Sequence, residues 1–212
     1  MLMMLALFLV FAVTAGVLWI HGLWGNAVTL INMLLAMLLA TNFFEPTAAL
    51  LDSFSPSGTY FYDVLALWVL FFIFFGLFRA ITDGLSAMQV KFILPVEMAG
   101  RTLLALWCGW LMVCFVTFSL QMAPLNEKTP LGAWQSPTDS TFLGFAPDRM
   151  WLGFMQGCSR RYLARGKFSS LDAHPDDSQA NVEAFDPYGE FPYKYAWRRK
   201  QYESLEGMGA PQ

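Results

Sequence analysis

No lysine or arginine occurs before Arg79, and the only acids in that stretch are Glu45, Asp52 and Asp63. Charged residues make up 14% of the 212-residue chain, against about 25% in an ordinary soluble domain. The net charge of -3 argues against a nucleic-acid partner. Three cysteines, Cys108, Cys114 and Cys158, offer no disulfide framework; two lie in an apolar run, where they suit small packing positions. The two histidines, His21 and His174, have no metal-ligand spacing with another His or Cys. HExxH, GxSxG and a Walker lysine are all missing. No catalytic, cofactor-binding or metal-ligating residue is therefore assigned, and an enzyme is not expected.

What the chain has instead is long apolar runs. It is 56% hydrophobic and 17% aromatic, with a mean hydropathy of +0.45. A bilayer-spanning helix needs roughly 20 apolar residues, and four segments qualify, at about 1–20, 27–44, 60–79 and 102–120. For the first, a cleaved signal peptide with a Val13-Thr14-Ala15 site is the competing reading. It lacks a basic leading region, so an uncleaved helix is expected. The segment His21-Gly22-Leu23-Trp24-Gly25-Asn26 reads as a tight reversal. Glu45-Pro46 reads as the end of the second span, with Thr47 to Phe54 as a short interfacial helix. The third span opens on a girdle of Tyr60, Phe61 and Tyr62. Leu85 to Leu94 reads as a surface segment terminated by Pro95. The expected fold is an all-α membrane protein: a four-helix transmembrane domain over 1–124 and an extramembrane tail over 125–212.

Polar residues inside or beside the spans are the candidate functional positions. Asn32 needs a partner on another helix, since an amide in hydrocarbon is costly alone. Asp63 sits at the start of a span, where a helix-dipole role competes with a functional one. Arg79/Asp83 and Glu97/Arg101 each stand four residues apart, which places opposite charges on one helical face. The pairs Ala12/Gly16, Ala36/Ala40, Gly76/Ala80 and Ala105/Gly109 have the small-residue spacing that lets helices approach closely. Arg79, Lys91 and Arg101 all fall between the third and fourth spans, so that connection is cytoplasmic by the positive-inside rule and both termini face outward.

The tail reads as largely irregular, with one or two short amphipathic helices. Pro147 to Arg165 places Trp151, Phe154, Met155, Cys158 and Tyr162 on one side, with Arg160, Arg161, Arg165 and Lys167 towards its end. Trp151 and Phe154 are the candidate partner face, although packing on the protein's own bundle is the plainer expectation. Asp172 to Glu190 is rich in acids and turn formers and reads as disordered, while Pro192 to Glu206 reads as a last helix.

His21-Gly22-Leu23 leading into Asn26 to Ala40, followed by Phe43-Phe44-Glu45-Pro46, resembles the first helical hairpin of the colicin V production protein (CvpA) family. Pro95 to Gly109, entered through Gly100, resembles that family's last span. The likeness covers roughly the first 120 residues and singles out Gly22, Gly100 and Gly109. It implies a multi-pass protein of the bacterial inner membrane, in which the outward-facing tail given by the basic residues lies in the periplasm. The implied role is non-enzymatic, in colicin V production or export and in envelope maintenance. The expected partners are the lipid bilayer, an envelope or membrane protein docking on the tail, and a second copy of the chain. A small oligomeric channel or transporter lined by Asn32 and Asp63 is the alternative.

Overall fold

A computed structural model describes residues 2–54, 58–85, 92–125, 142, 144–159, 185–186 and 188–209, with side chains to 204. Six helices follow in order: α1 Leu2–Trp19, α2 Gly22–Phe54, α3 Thr59–Leu85, α4 Leu94–Met122, α5 Pro147–Ser159 and α6 Phe191–Gly209. Among the described residues the one extended pairing is an isolated bridge between Phe142 and Phe145. The first four helices are long and apolar enough to cross a membrane, with mean hydropathies of 2.5, 1.9, 2.5 and 2.1. This is an all-α, multi-pass membrane protein.

The helices α2 and α4 form the interior. Met33, Met37, Phe44, Phe71, Phe115 and Phe118 fill the space among α2, α3 and α4 and are all buried. By contrast α1 and α3 leave large apolar residues such as Phe8, Val13, Phe72 and Ile73 exposed. That exposure suits a bilayer as surrounding solvent. Two glycines mark close approaches to the start and middle of α4. A Cβ on Gly109 would stand 3.0 Å from the Phe11 ring and 3.1 Å from the Phe11 carbonyl oxygen. A Cβ on Gly100 would stand 2.6 Å from Leu23 Cδ1. Of the small-residue pairs, Ala36/Ala40 and Ala105/Gly109 are buried, whereas Gly16 and Gly76 have open space beside them. Spacing alone does not tell a packing glycine from a lipid-facing one.

Several expected boundaries are corrected. The expected reversal over 21–26 is shorter: His21 precedes a helix that already starts at Gly22, whose φ of 76° makes the turn. Helix α2 does not end at Glu45-Pro46 but runs through Pro46 to Phe54. Proline cannot donate to the Asn42 carbonyl, yet Phe44 and Ala48 are buried on either side of it. The Thr47 hydroxyl also donates to the Phe43 carbonyl at 2.8 Å. Packing on both flanks outweighs the one lost backbone bond. Pro95 stands in the first turn of α4, where no intrahelical N–H donor is needed, and most of the segment expected before it lies outside the described residues.

The tail does not stand apart. Rings of Phe185, Phe191 and Tyr195 join those of Phe44 and Phe118 in one aromatic cluster, with Phe118 stacked on Phe191 at 5.0 Å. Tyr202 meets Tyr60 at 5.2 Å. Helix α6 thus passes from the end of α4 to the start of α3 across one end of the bundle. The division at 124/125 therefore separates sequence regions and not cores. Met1, Lys91, Lys128, the basic group Arg160 to Lys167, Tyr162, His174 and most of Asp172 to Glu190 lie outside the described residues.

Candidate functional site

The polar residues gather at the two ends of the bundle. The end formed by the α1–α2 turn and the start of α4 holds the first group. Gly22 opens α2 and leaves first-turn N–H groups without intrahelical acceptors. Glu97 supplies one: the Leu23 N–H donates to Glu97 Oε1 at 2.9 Å. The expected Glu97–Arg101 pair is not made. Glu97 is drawn to the α2 terminus, while the Arg101 guanidinium lies 4.2 Å over the Trp19 ring. Asn26, fully buried, donates to the Arg101 carbonyl at 3.2 Å. The Trp19 indole donates to the Thr102 hydroxyl at 3.1 Å.

Nearby, Arg79 and Asp83 meet at 3.0 Å, as their spacing predicts. Arg79 also donates to the Thr29 hydroxyl at 2.9 Å, which ties α3 to α2. Asn32 donates to the Thr82 hydroxyl at 2.8 Å. Its partner is on another helix, as an amide in hydrocarbon requires.

The opposite end is where the tail docks. Asp63 is buried, and it does not serve as a helix cap. Its Oδ2 accepts from Arg198 Nη1 and, at 3.0 Å, from the Tyr195 hydroxyl. Arg198 Nη2 donates to the Thr59 carbonyl at 2.6 Å, so one guanidinium holds both a side chain and the backbone at the head of α3. Burial and the negative charge of Asp63 both push the Tyr195 phenol far above its ordinary range, so it stays a donor. Arg199, also buried, donates to the Gln121 carbonyl near the end of α4, and Gln121 in turn donates to Asp148 at 3.1 Å. Neighbouring arginines of α6 therefore grip α3 and α4.

Helix α5 is held in the same way. Trp151 is buried, its ring edge-on to Phe115 at 5.9 Å, and its indole N–H donates to the Thr41 hydroxyl at 3.1 Å. Of the candidate partner face, Trp151 packs in the protein's own core, the plainer of the two expectations, and only Phe154 is exposed. Asp186 links α5 to α6. Its carbonyl accepts from Gln156 at 2.8 Å, and its Oδ1 accepts from the Glu190 and Phe191 N–H groups at the start of α6. Burial raises the Asp186 carboxyl above the ordinary range, and those two N–H bonds oppose the rise.

Between α2, α3 and α6 lies an open cleft of about 370 Å³. Glu45 and Asp52 from α2, Thr59 and Asp63 from α3, and Lys194 and Arg198 from α6 give it its polar lining. Lys194 meets Glu45 at 3.3 Å, and the Thr59 hydroxyl donates to Asp52. Sequence reasoning reached Asp63 but missed its partners. Arg198 is separated from it by 135 residues, and no local pattern joins them. Among the described residues no group of three His, Cys, Asp or Glu is placed to hold a metal ion. No family model, curated protein or solved structure matches this chain.

Proposed function

We propose that this multi-pass membrane protein is a non-catalytic scaffold of a bacterial inner membrane that supports colicin V production and export and helps maintain the envelope. The observation that carries the scaffold reading is how the polar groups are used. Asn32, Asp63, Arg79, Glu97, Arg198 and Arg199 each bond one element of the fold to another. Meanwhile Met37, Phe71 and Phe115 fill the bundle interior with apolar side chains.

Orientation follows the basic residues. Arg79 and Arg101 stand at the end away from the α5–α6 cap, and Lys91 falls between them in sequence. That end is cytoplasmic on this reading and the cap periplasmic. The colicin V role rests on the resemblance of Gly22, Gly100 and the Phe43-Phe44-Glu45-Pro46 segment to that family. An envelope protein contacting the outer side of the cap is the expected partner, because Trp151 is unavailable to one.

The test is to delete the gene in a colicin V-producing host and measure killing zones on a sensitive lawn. The zone shrinks on deletion and recovers with the wild-type chain. A zone of unchanged size sinks the export-support role. The channel alternative has weaker support, because Asn32 and Asp63 are each bonded within the chain.

A further inference from the structure

We propose that the cleft between α2, α3 and α6 is a lipid-headgroup site selective for a zwitterionic aminophospholipid, with the ammonium on Asp52 and the phosphate on Lys194. The inference rests on the chain spanning a membrane and is independent of the colicin V role.

Asp63 and Arg79 bracket the apolar run of α3, sixteen residues or about 24 Å apart along the helix. That is close to the thickness of a hydrocarbon core, about 30 Å. Asp63 and the cleft it lines therefore sit at headgroup level. The rim agrees with this. Each lining helix carries exposed large apolar or aromatic residues beside its lining positions: Leu50 and Phe54 on α2, Phe61 on α3, and Tyr193 and Trp197 on α6. Tyrosine and tryptophan at such a depth are characteristic of the membrane interface.

Glu45, Asp52 and Asp63 face Lys194 and Arg198, three carboxylates against two cations. Arg198 is committed to Asp63 and the Thr59 carbonyl. Lys194 has a side chain 57% exposed, meets Glu45 at 3.3 Å and lies 5.7 Å over the Tyr195 ring, which leaves its ammonium open to a further acceptor. Asp52 has no ion-pair partner among the described residues and accepts from the Thr59 hydroxyl. The cleft therefore offers one surplus carboxylate and one largely exposed ammonium. Glu45, which meets Lys194, stands seven residues or about 10 Å from Asp52 along α2.

An ethanolamine headgroup supplies the complement. Its primary ammonium donates hydrogen bonds to Asp52, and its phosphate shares with Glu45 the three N–H donors of Lys194. A choline ammonium has no N–H to donate, and a glycerol headgroup leaves Asp52 uncompensated. The cleft volume, about 370 Å³, falls at the lower end of the range for small-ligand pockets, about 300–1,000 Å³.

The full chain, purified in neutral detergent, would be given equal amounts of phosphatidylethanolamine, phosphatidylcholine and phosphatidylglycerol with identical acyl chains. Retained lipid would be counted by native mass spectrometry. Phosphatidylethanolamine is retained about tenfold over the other two, ~1.4 kcal/mol, and Asp52→Asn brings the ratio to about one. Lys194→Gln weakens all three lipids alike, since all carry the phosphate; Asp83→Asn, at the far end, leaves the preference intact. Equal retention of the three lipids by the wild type, or a preference that survives Asp52→Asn, overturns the proposal. Soluble glycerophosphoethanolamine separates the two sources of the headgroup. Displacement only at large excess supports the lipid, and displacement at equal concentration overturns it in favour of a free solute.

Discussion

Replacing Arg198 by methionine removes the guanidinium that joins α6 to α3 while keeping much of its apolar stem. The loss is not symmetrical between partners. Without Arg198, the Asp63 carboxylate stays 8% exposed with the Tyr195 hydroxyl as its remaining donor. Without a charge at Asp63, Arg198, 25% exposed, turns towards water. Removing one partner of a fully buried pair costs about 3–5 kcal/mol. Partial exposure of Arg198 lowers that to about 2–4 kcal/mol for Arg198→Met. Asp63→Asn keeps an oxygen acceptor for Tyr195 and Arg198 and should cost about 1 kcal/mol, the scale of one hydrogen bond.

The assay is limited proteolysis of the detergent-solubilised chain, reading cleavage within α6. When reclosing is fast, cleavage follows the population of the detached state. Arg198→Met should then raise the cleavage rate about 30- to 700-fold at constant protease. The double variant should cost less than the sum of the singles, because the two residues share one interaction. A cleavage rate unchanged in Arg198→Met, or equal effects from the two single variants, would refute the clamp.

Other consequences follow from the same structure. Gly109→Ala places a methyl against the Phe11 backbone oxygen and should cost about 1–3 kcal/mol. Gly76→Ala meets open space and should be neutral or stabilising on heating monitored by tryptophan fluorescence. Trp151→Ala removes a buried ring and should cost about 3–5 kcal/mol. Phe154→Ala, on the exposed side, should cost less than about 1 kcal/mol in the same melts.

For Asp186, a raised folded pKa means that the folded state holds the proton more tightly than the unfolded chain. Its share of stability is full below the ordinary carboxylate value and is lost as pH rises through the raised one. Asp186→Asn removes that slope, keeps an oxygen for the two N–H bonds, and suits the φ of 46°. Melts from pH 3 to 7 should show a flatter profile for the variant and equal or greater stability at pH 7.

The spans were legible because hydrocarbon leaves few options: Val64 to Phe78 holds no polar side chain and reads as nothing else. The extent of α2 was not legible. Pro46 is a helix breaker by local rules, and only Phe44 and Ala48, buried against other elements, show why it is overridden. Glu97 illustrates a second limit. Its spacing to Arg101 permits a pair, but the open N-terminus of α2 competes for the same carboxylate, and that terminus becomes its neighbour only after folding. Around Trp151 the plainer expectation, packing on the protein's own bundle, holds for Trp151 and Met155, whereas Phe154, assigned to the same stripe, is exposed, since periodicity fixes an apolar stripe only to within a residue or so. Asp63 stood out as polar, but Arg198, Tyr195 and the cleft they form depend on a contact between distant parts of the chain.

The most direct test of the account is the side of the membrane on which the α5–α6 cap lies. Alkaline phosphatase and green fluorescent protein, each fused after Gln212, report it in a bacterial host. Four spans with a cytoplasmic Arg79–Arg101 end predict active phosphatase and no fluorescence. Fluorescence with inactive phosphatase would place the cap in the cytoplasm and contradict the orientation.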